Sequence, residues 1–413
     1  MVGTNHEYLQ AFNQRLLMSK IWRDGPLSRA DLTRSTHLAT PTVYRLTGEL
    51  LRLGLVREGA LRRGGLGKPP LELSVNPEGA YSIGFNFDRD RLVGVLTDLT
   101  GTVLERRQFD LAAANPEEVF GRIEAVTGMF QAHSVLVAER LMGIGVGIPG
   151  PLHLKPVPGS ELFELPGWDG VDVAAELSQR LGRGVILENN PIAAAIGEMW
   201  YGKNKNLENF FYIFFGLYLG GCAVLGREPN RGYGGYGGEF GSVPYGYDPR
   251  APGGIRRLGH RVSLAGLYKT LAEAGIMAFR TDDLERLYEV QDPVLLGWLA
   301  EATEYLAPEL LRIEYMFDPE AIVFGERLPA VLFNHIIARL ETRLGALRVS
   351  YKPYGPKLMR GWTGVDAAAI GAAALPIYQA LEPNPALVLS QGSVRPKRRQ
   401  GNLSENTLHR AAD

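Results

Sequence analysis

The spacing of apolar residues predicts three helices within the first 76 positions of the 413-residue chain. In the first helix, apolar residues recur every three or four positions until Asp24-Gly25 ends the pattern. Ser28, with Asp31 three residues later, is close to a capping box. This pair indicates that a short second helix begins there and covers about 29–35.

A third helix is predicted after a tight turn. Thr40 has the side chain of an N-cap, Pro41 suits the first helical position, and Gly54 suits the position just past the helix end. The apolar stripe expected to face the core consists of Val43, Leu46, Leu50 and Leu53. Two short helices joined by a tight turn, the second beginning with small polar residues, form the pattern of a helix-turn-helix.

Two strands of a hairpin are predicted next, in the segments LVREG and PLELSV. Their connection, ALRRGGLGKP, is basic and rich in glycine, so a flexible wing is expected. Three helices and a hairpin in this order predict a winged helix-turn-helix over residues 1–76. This segment has 11 Lys and Arg against 6 Asp and Glu, a net charge of +5, while the rest of the chain carries −6. A basic module on an acidic body favours a nucleic-acid partner.

Double-stranded DNA is the expected partner, with the N-terminal end of the third helix in the major groove. Hydroxyl groups, arginines and helix N-termini suit phosphates and base edges. The residues of the helices that are expected to contact DNA are Ser28, Arg29, Thr40, Thr42, Tyr44 and Arg45. Those of the wing, at phosphates or in the minor groove, are Arg62, Arg63 and Lys68. The alternative is a small helical bundle that binds a protein.

Predicted strands and helices alternate between residues 77 and 382, which is typical of an α/β body, here with two lobes. The predicted elements include a strand pair over 209–225 that turns at Gly220-Gly221, and a helical stretch over about 263–316. Residues 383–413 are polar, contain the basic cluster RPKRR and lack core periodicity. They are predicted to form a disordered tail.

Composition excludes several classes of protein. No apolar run reaches the length of about 18 residues that a membrane span needs, and the N-terminus lacks the apolar block of a signal peptide. The single cysteine, Cys222, excludes an intramolecular disulfide and a cysteine-rich zinc cluster. A cytoplasmic location with no membrane partner is therefore expected.

Seven stretches of the body occur in the order found in the ROK family of bacterial sugar kinases and repressors. They are VGVLTDLTGTVLERR, GIGVGIPGPL, LPGWDGVDVAAELSQRLGRGVILENN, AAAIGE, GYGGYGGEFGSVPYG, MFDPEAIVFGE and DAAAIGAAAL. The body resembles this family, whose repressors carry an N-terminal winged helix-turn-helix. The resemblance implies an α/β fold in which that module precedes a two-lobed, actin-like ATPase (ribonuclease H-like) body. The implied domains are 1–76 for DNA binding, 77–382 for effector binding and dimerisation, and 383–413 as a tail.

The resemblance also implies which catalytic parts are replaced. Asp88, Arg89 and Asp90 stand where the family's phosphate loop, D-x-G-G-T, has its glycine pair and threonine, and two carboxylates would repel a triphosphate. Asn190 stands where the family has the Asp that deprotonates the sugar, and an amide cannot accept a proton at neutral pH. Ser242 replaces the family's zinc histidine. We therefore expect no enzyme activity, no structural zinc and no cofactor, although His260 falls near the position of a lost zinc cysteine.

The resemblance also implies which residues bind the sugar. They are Gly150 in the loop Pro149-Gly150-Pro151, Asn189, Asn190 and Glu239. Val262 stands where the family has a further glutamate, so the set is incomplete. Tyr233 and Tyr236 could stack on a sugar face or simply pack. The alternative for the amide and carboxylate groups is that they satisfy only each other.

A regulator of transcription, expected to be a repressor, is the function that the resemblance implies. Its body would dimerise and sense a sugar or a sugar derivative, and two recognition helices on a two-fold axis would read a palindromic operator. A homodimer and a homotetramer both remain open. The alternatives are a regulator controlled by a protein partner without sugar binding, and a sugar kinase with a DNA module.

Overall fold

The computed structural model describes residues 6–61, 71–112, 114–150, 165, 167–203, 205–247, 254–278, 280–349, 352 and 354–383. Its N-terminal part contains the helices α1 (His6–Asp24), α2 (Arg29–Thr36) and α3 (Thr40–Arg52). Its strands are β1 (Leu27–Ser28), β2 (Val56–Leu61) and β3 (Leu71–Val75), in one antiparallel sheet of order β1-β3-β2. The predicted order of three helices and a hairpin is confirmed. The predicted tail from residue 384 onward lies outside the described residues.

Two details of the third helix were predicted wrongly. The N-cap of α3 is Ala39, and Thr40 is already helical. Leu53 is 54% exposed because it follows the last helical residue and so leaves the apolar stripe. Thr47 is buried in its place, and its hydroxyl donates to the carbonyl of Val43 at 2.7 Å.

The body has two lobes whose sheets share one strand order. The first sheet contains β4 (Tyr81–Phe87), β5 (Arg91–Asp98), β6 (Val103–Asp110), β7 (Leu141–Ile148) and β8 (Val185–Asn189), in the order β6-β5-β4-β7-β8. The second contains β9 (Phe210–Phe215), β10 (Leu219–Leu225), β11 (Glu228–Pro229), β14 (Ala321–Glu326) and β15 (Lys357–Arg360), in the order β11-β10-β9-β14-β15. A separate ribbon is formed by β12 (Pro244–Tyr247) and β13 (Ile255–Arg257). The repeated topology is the duplicated architecture that was predicted.

Helices cover both faces of each sheet, which is why the central strands are apolar on both sides. The outer helices of the first lobe are α4 (Pro116–Gln131) and α5 (Val173–Leu181). Those of the second lobe are α7 (Leu264–Glu273), α8 (Thr281–Glu289), α9 (Pro293–Phe317) and α10 (Ala330–Leu347). The helices α6 (Asn190–Tyr201) and α11 (Ala367–Leu381) lie between the sheets, α6 against β9 and β10, and α11 against β4 and β7. We call these two the hinge helices.

Small residues let the hinge helices touch backbone to backbone. A Cβ added to Gly371 of α11 would lie 1.9 Å from the carbonyl oxygen of Ala193 in α6, and one added to Gly197 would lie 2.8 Å from the Cα of Gly371. Only glycine allows this approach. By length and composition Gly364–Leu381 could span a membrane, but 61% of this segment is buried inside the protein, as in the core helix of a soluble domain.

Three expectations for the second lobe were wrong or incomplete. The strand pair turns at Gly216–Tyr218, and Gly220-Gly221 lies inside β10. Glycine is needed there for another reason: a Cβ on Gly220 would lie 2.6 Å from the Pro191 ring. The predicted helical stretch over about 263–316 consists of three helices, α7, α8 and α9. Helix α10 was not predicted, although its buried residues have helical spacing: Leu332, Phe333, Ile336, Leu340 and Leu344.

Candidate DNA-binding surface and interlobe cleft

The N-terminal end of α3 presents the DNA-facing side chains that the sequence predicts. Thr40, Tyr44 and Arg45 are exposed, Tyr44 by 59%, and Thr42 is half-buried. The opposite side of the helix is fixed in the module core by its apolar stripe. Arg45 forms an ion pair with Glu49 at 2.8 Å but keeps 47% of its side chain exposed. An exposed pair of this kind is weak, so the guanidinium is available to an anion.

Two other predicted DNA contacts have partners within the module. The hydroxyl of Ser28 accepts from the backbone of Asp31, while the Asp31 carboxylate accepts from the backbone of Ser28, so this pair is the capping box of α2. Ser28 is only 3% exposed. Arg29 donates to Glu58 at 2.9 Å and packs its guanidinium over the Tyr44 ring, 5.2 Å from the ring centre. Ser28 therefore caps α2, and Arg29 contacts the recognition helix α3. Arg62, Arg63 and Lys68 lie outside the described residues.

Three of the four predicted sugar-binding residues lie together at one end of the cleft between the lobes. A Cβ added to Gly150 would lie 3.1 Å from the Oε1 of Glu239 and 3.4 Å from the Nδ2 of Asn189. Asn189 is the N-cap of α6, so the strand-to-helix switch aims its amide into the cleft. Gly150 therefore leaves a space bounded by an amide donor and a carboxylate acceptor. We call this the sugar end of the cleft.

Glu239 is held in place by the glycines before it. Gly238, with φ +89°, accepts a hydrogen bond at its carbonyl from the N–H of Gly221 in β10, and a Cβ on Gly238 would lie 2.0 Å from the Gly221 oxygen. The glycine-rich segment can therefore lie flat on the strand. Burial raises the pKa of the Glu239 carboxyl, and a hydrogen bond with Ser242 opposes that rise. Ser242, in the position of the family's zinc histidine, thus supports a sugar-end carboxylate.

The fourth predicted residue, Asn190, is only 3% exposed. Its Nδ2 donates to the carbonyl of Phe87, the last residue of β4, at 3.2 Å. A Cβ on Gly147 would lie 2.7 Å from its Oδ1, and in the described part of the chain this oxygen has no hydrogen-bond partner. A buried amide oxygen without a partner is costly, and a hydroxyl donor would satisfy it. Asn190 thus holds the floor of the cleft while offering one acceptor.

Further side chains line the rim of the sugar end. Glu188, next to Asn189 along β8, accepts from Arg231 at 2.6 and 2.9 Å, which ties the glycine- and tyrosine-rich segment to the first lobe. Tyr233 is fully exposed and Tyr236 is 44% exposed. Neither ring is packed into the core, so both are accessible at the surface.

The predicted phosphate loop has its carboxylates neutralised by the second lobe. Arg327, next to the end of β14, lies 2.5 Å from the Oδ2 of Asp90 and 3.6 Å from the Oδ2 of Asp88. Asp88 also accepts from the backbone N–H of Leu217, in the turn between β9 and β10, at 3.3 Å. One carboxylate therefore joins the loop after β4 to the turn between β9 and β10. We call this the nucleotide end of the cleft.

A second ion pair lies beside the first. Arg91 donates to Glu326 at 2.8 Å, and both side chains are at most 8% exposed. Burial raises the pKa of the Glu326 carboxyl to about 7, although Arg91 and the N–H of Ala368 favour its charged form. Burial and the neighbouring Asp90 carboxylate also raise the pKa of Asp88, against the attraction of Arg327. Separating such pairs leaves buried charges uncompensated.

The zinc region carries no ligand set among the residues described. His260 lies next to the core, and burial lowers the pKa of its imidazole. Val262 is fully buried in the apolar core of the second lobe. No group of three or more His, Cys, Asp or Glu side chains in the described ranges could hold a metal ion. The absence of a structural zinc stays a prediction.

Arg327 and Trp22 were missed at the sequence level. Arg327 follows a conventional strand, and its partner Asp90 is 237 residues away, so no local pattern marks it. Trp22 was assigned only to the apolar side of α1, but its indole donates to a carbonyl of α6, 178 residues away. A long-range hydrogen bond leaves no spacing signal.

Comparison with known proteins agrees with this architecture. The model of the ROK family matches residues 82–378, and that of the IclR helix-turn-helix domain matches residues 23–59. The chain is 26% identical to the xylose repressor of Bacillus subtilis over 386 residues, which cover 91% of this chain and 97% of that protein. It shares its fold with a ROK family transcriptional regulator described as a homolog of E. coli MLC (TM-score 0.71, 21% identity, covering 92% and 98% of the two chains).

A second solved structure relates the body to enzymes. The ROK family glucokinase from Streptomyces griseus, in complex with glucose and AMPPNP, has a TM-score of 0.58 and 20% identity, covering 72% of this chain and 99% of that one. The predicted family and the predicted fold class are confirmed: with its helix-turn-helix and its two-lobed body, the chain belongs to the ROK family.

Proposed function

We propose that this chain is a cytoplasmic transcriptional repressor that binds operator DNA, releases it on binding a sugar, and transfers no phosphate. The observation that carries this proposal is the contrast inside one cleft. Its sugar end keeps Asn189 and Glu239 on either side of Gly150, while Asn190 replaces the proton acceptor. A kinase needs the base, whereas a sensor needs only the hydrogen bonds.

The DNA half of the proposal is supported by the exposed face of α3. Thr40, Thr42, Tyr44 and Arg45 suit base edges and phosphates, and the wing residues Arg62, Arg63 and Lys68 add positive charge. Two copies of the module in a homodimer would read half-sites about one DNA turn apart, which gives a palindromic operator.

The relatives suggest the chemical class of the effector. Xylose repressors cover more than nine-tenths of this chain, so an aldose is the first class to test, with D-xylose as the probe. A sugar offers hydroxyl donors to Glu239 and to the Oδ1 of Asn190, and hydroxyl acceptors to the amide of Asn189. A sugar that binds one arrangement of the lobes better than the other will shift the lobes, and with them the DNA modules.

The experiment begins by selecting bound fragments from the genome of the source organism and then titrates the best fragment with and without aldoses. We expect D-xylose or a related aldose to weaken operator binding. Glu239→Gln should weaken sugar binding by about tenfold to a hundredfold in calorimetry, because a charged hydrogen-bond acceptor is lost. Glu285→Gln, on the exposed face of α8, is the matched control and should change nothing.

Three results would contradict the proposal. Phosphate transfer from ATP to any hexose would restore the kinase alternative. Operator binding that ignores every aldose, together with no calorimetric signal, would favour control by a protein partner. Equal sugar binding by Glu239→Gln and Glu285→Gln would remove Glu239 from the site.

A further inference from the structure

The DNA module rests on the hinge helices rather than on the sheets of the lobes. Trp22, in the last turn of α1, is 5% exposed and packs edge-on against Trp200 of α6, with ring centres 4.7 Å apart. Its ring also meets Tyr201 at 6.1 Å, and the ammonium group of Lys205 lies 5.8 Å from its ring centre. One apolar cluster runs from the module core through these rings to Leu381 at the end of α11.

The indole of Trp22 completes the C-terminal end of α6. The last carbonyls of a helix have no partner inside the helix. Trp22 donates its Nε1–H to one of these, the carbonyl of Trp200, at 2.8 Å. The helix ends at Tyr201, and Gly202 is its C-cap. The DNA module therefore supplies a hydrogen bond that belongs to the hinge helix, so the two must move together.

Charged groups tie the same turn of α1 to the end of α11. Glu382, the residue after α11, lies 3.7 Å from the Nε of Arg227. Burial raises the pKa of the Glu382 carboxyl, while Arg227 and Arg23 of α1 lower it. The positive charge of Arg23 therefore favours the charged form of a carboxyl at the end of α11, and α1 itself contacts α11. The module is attached to both hinge helices through neighbouring residues of α1.

The other end of α6 lies in the cleft. Asn189 occupies the N-cap position, and Asn190 is the first residue of the helix. Because α6 has 12 residues, it spans about 18 Å from the sugar end to the Trp22 contact. Its close contact with α11 at Gly197 and Gly371 leaves no room for bending, so a shift at one end reaches the other end as a shift of the whole helix.

We propose that Trp22 is the positioning residue that transmits ligand binding from the cleft to the DNA module through α6. The inference rests on the proposed function, because it assigns the route between the sugar and the operator. A sugar that moves Asn189 moves α6, and the Trp22 hydrogen bond carries α1 and the recognition helix with it. Trp22 touches neither the sugar end nor the exposed face of α3.

The experiment compares Trp22→Phe with Trp298→Phe. Phenylalanine keeps one aromatic ring but removes the N–H donor and the second ring of the indole, and the control variant loses the same groups. Trp298 is the matched control, because its buried indole also donates to a backbone carbonyl, that of Arg261 at 3.0 Å, but in the second lobe. Three quantities are measured for each protein: sugar affinity by calorimetry with D-xylose and related aldoses, operator affinity without sugar, and operator affinity with saturating sugar.

We expect Trp22→Phe to keep the sugar affinity and the sugar-free operator affinity of the wild type within about threefold. The ratio of operator affinities without and with sugar, which lies in the range of about 5 to 150 for typical coupled sites, should fall below about twofold. Trp298→Phe should keep the wild-type ratio. Arg23→Gln, which removes the link to Glu382, should lower the ratio by a smaller factor and serves if Trp22→Phe does not fold.

The outcomes separate the two proposals. If the wild type responds to sugar and Trp22→Phe or Arg23→Gln responds equally, the route through α1 is wrong and the proposed function stands. If both Trp298→Phe and Trp22→Phe lose the response, a loss of rigidity explains it and the inference is overturned. If the wild type binds no aldose and its operator affinity never changes, the proposed function fails and the inference fails with it.

Discussion

At the sugar end of the cleft Asn189 and Glu239 face an open space at Gly150, whereas at the nucleotide end Asp88 and Asp90 face Arg327. Both ends lie between the same two lobes and are built on corresponding strand-to-loop switches. Water or a ligand can reach the first set of groups. The second set is neutralised by side chains of the protein itself.

Under the proposed function, the difference teaches how one site would lose a reaction and keep a binding function. Polar groups that face a cleft can exchange water for the hydroxyls of a ligand at little cost. Buried ion pairs cannot exchange partners without paying the desolvation of each charge. The ion pairs of the nucleotide end thus hold the two lobes together, and under the proposed function only the sugar end exchanges water for a ligand.

The largest effect is expected from Arg327→Met. It removes the cation that faces Asp88 and Asp90, so two carboxylates are left without compensation, one of them buried. Breaking a buried pair in this way costs about 3–5 kcal/mol of the free energy of unfolding, measured by urea denaturation.

Arg343→Met is the control for that loss, because Arg343 forms an exposed pair with Glu304 at 3.0 Å. Arg343→Met should lower the free energy of unfolding by less than about 1 kcal/mol. Equal losses for the two variants would mean that the nucleotide end is no more important to the fold than the surface.

A smaller effect is expected in the pH dependence of stability. The pKa of Glu326 is raised to about 7 in the folded chain, above its ordinary value of 4.5. Between these values the folded state holds a proton that the unfolded state has lost. Stability therefore decreases as the pH rises from 4.5 to about 7, by about 1–3 kcal/mol. Glu326→Gln should remove this decrease, which a series of urea titrations between these pH values would measure.

Glu239→Gln sharpens the same comparison. The pKa of the Glu239 carboxyl is raised as well, but this residue stays more than a third exposed at the cleft. Its replacement should leave most of the pH dependence in place. If Glu239→Gln reduced the pH dependence of the free energy of unfolding more than Glu326→Gln did, the contrast between the two ends would be reversed.

The smallest effect is expected from nucleotide. Millimolar Mg-ATP should leave the thermal midpoint unchanged, because Arg327 is paired with Asp88 and Asp90 in the loop that replaces the family's phosphate loop. A bound sugar, by contrast, should raise the midpoint, by the equivalent of about 2.7 kcal/mol at a concentration of a hundred times its Kd. A clear stabilisation by Mg-ATP would contradict the assignment of a closed nucleotide end.

Much of the DNA module could be predicted because its signals are local. The capping box at Ser28, the proline of α3 and Gly54 after its end each lie within a few residues of the element that they define. The one error in the stripe, Leu53, arose because the helix ends one residue earlier than its apolar pattern. Helix α10 was not predicted, although its apolar periodicity is present in the sequence.

The sites were only partly predictable. The residues at the sugar end could be located from their motifs, because each lies at a strand end or in a glycine-rich segment. The orientation of Asn190 could not, since its amide is fixed by Phe87, which is 103 residues away in the chain. The pairing of Arg327 with Asp90 and of Trp22 with Trp200 likewise depends on how the lobes and the module assemble.

The single apolar cluster that joins α1 to the hinge helices has a consequence for recombination and engineering. A chimaera that grafts the DNA reader of another regulator onto this body would expose Trp200, Ala374 and Leu381 to water and leave α6 without its indole cap. We therefore expect that DNA modules can be exchanged among such proteins only together with the turn of α1 that carries Trp22. The segment that must be exchanged is therefore longer than the surface that contacts the operator, because it includes α1.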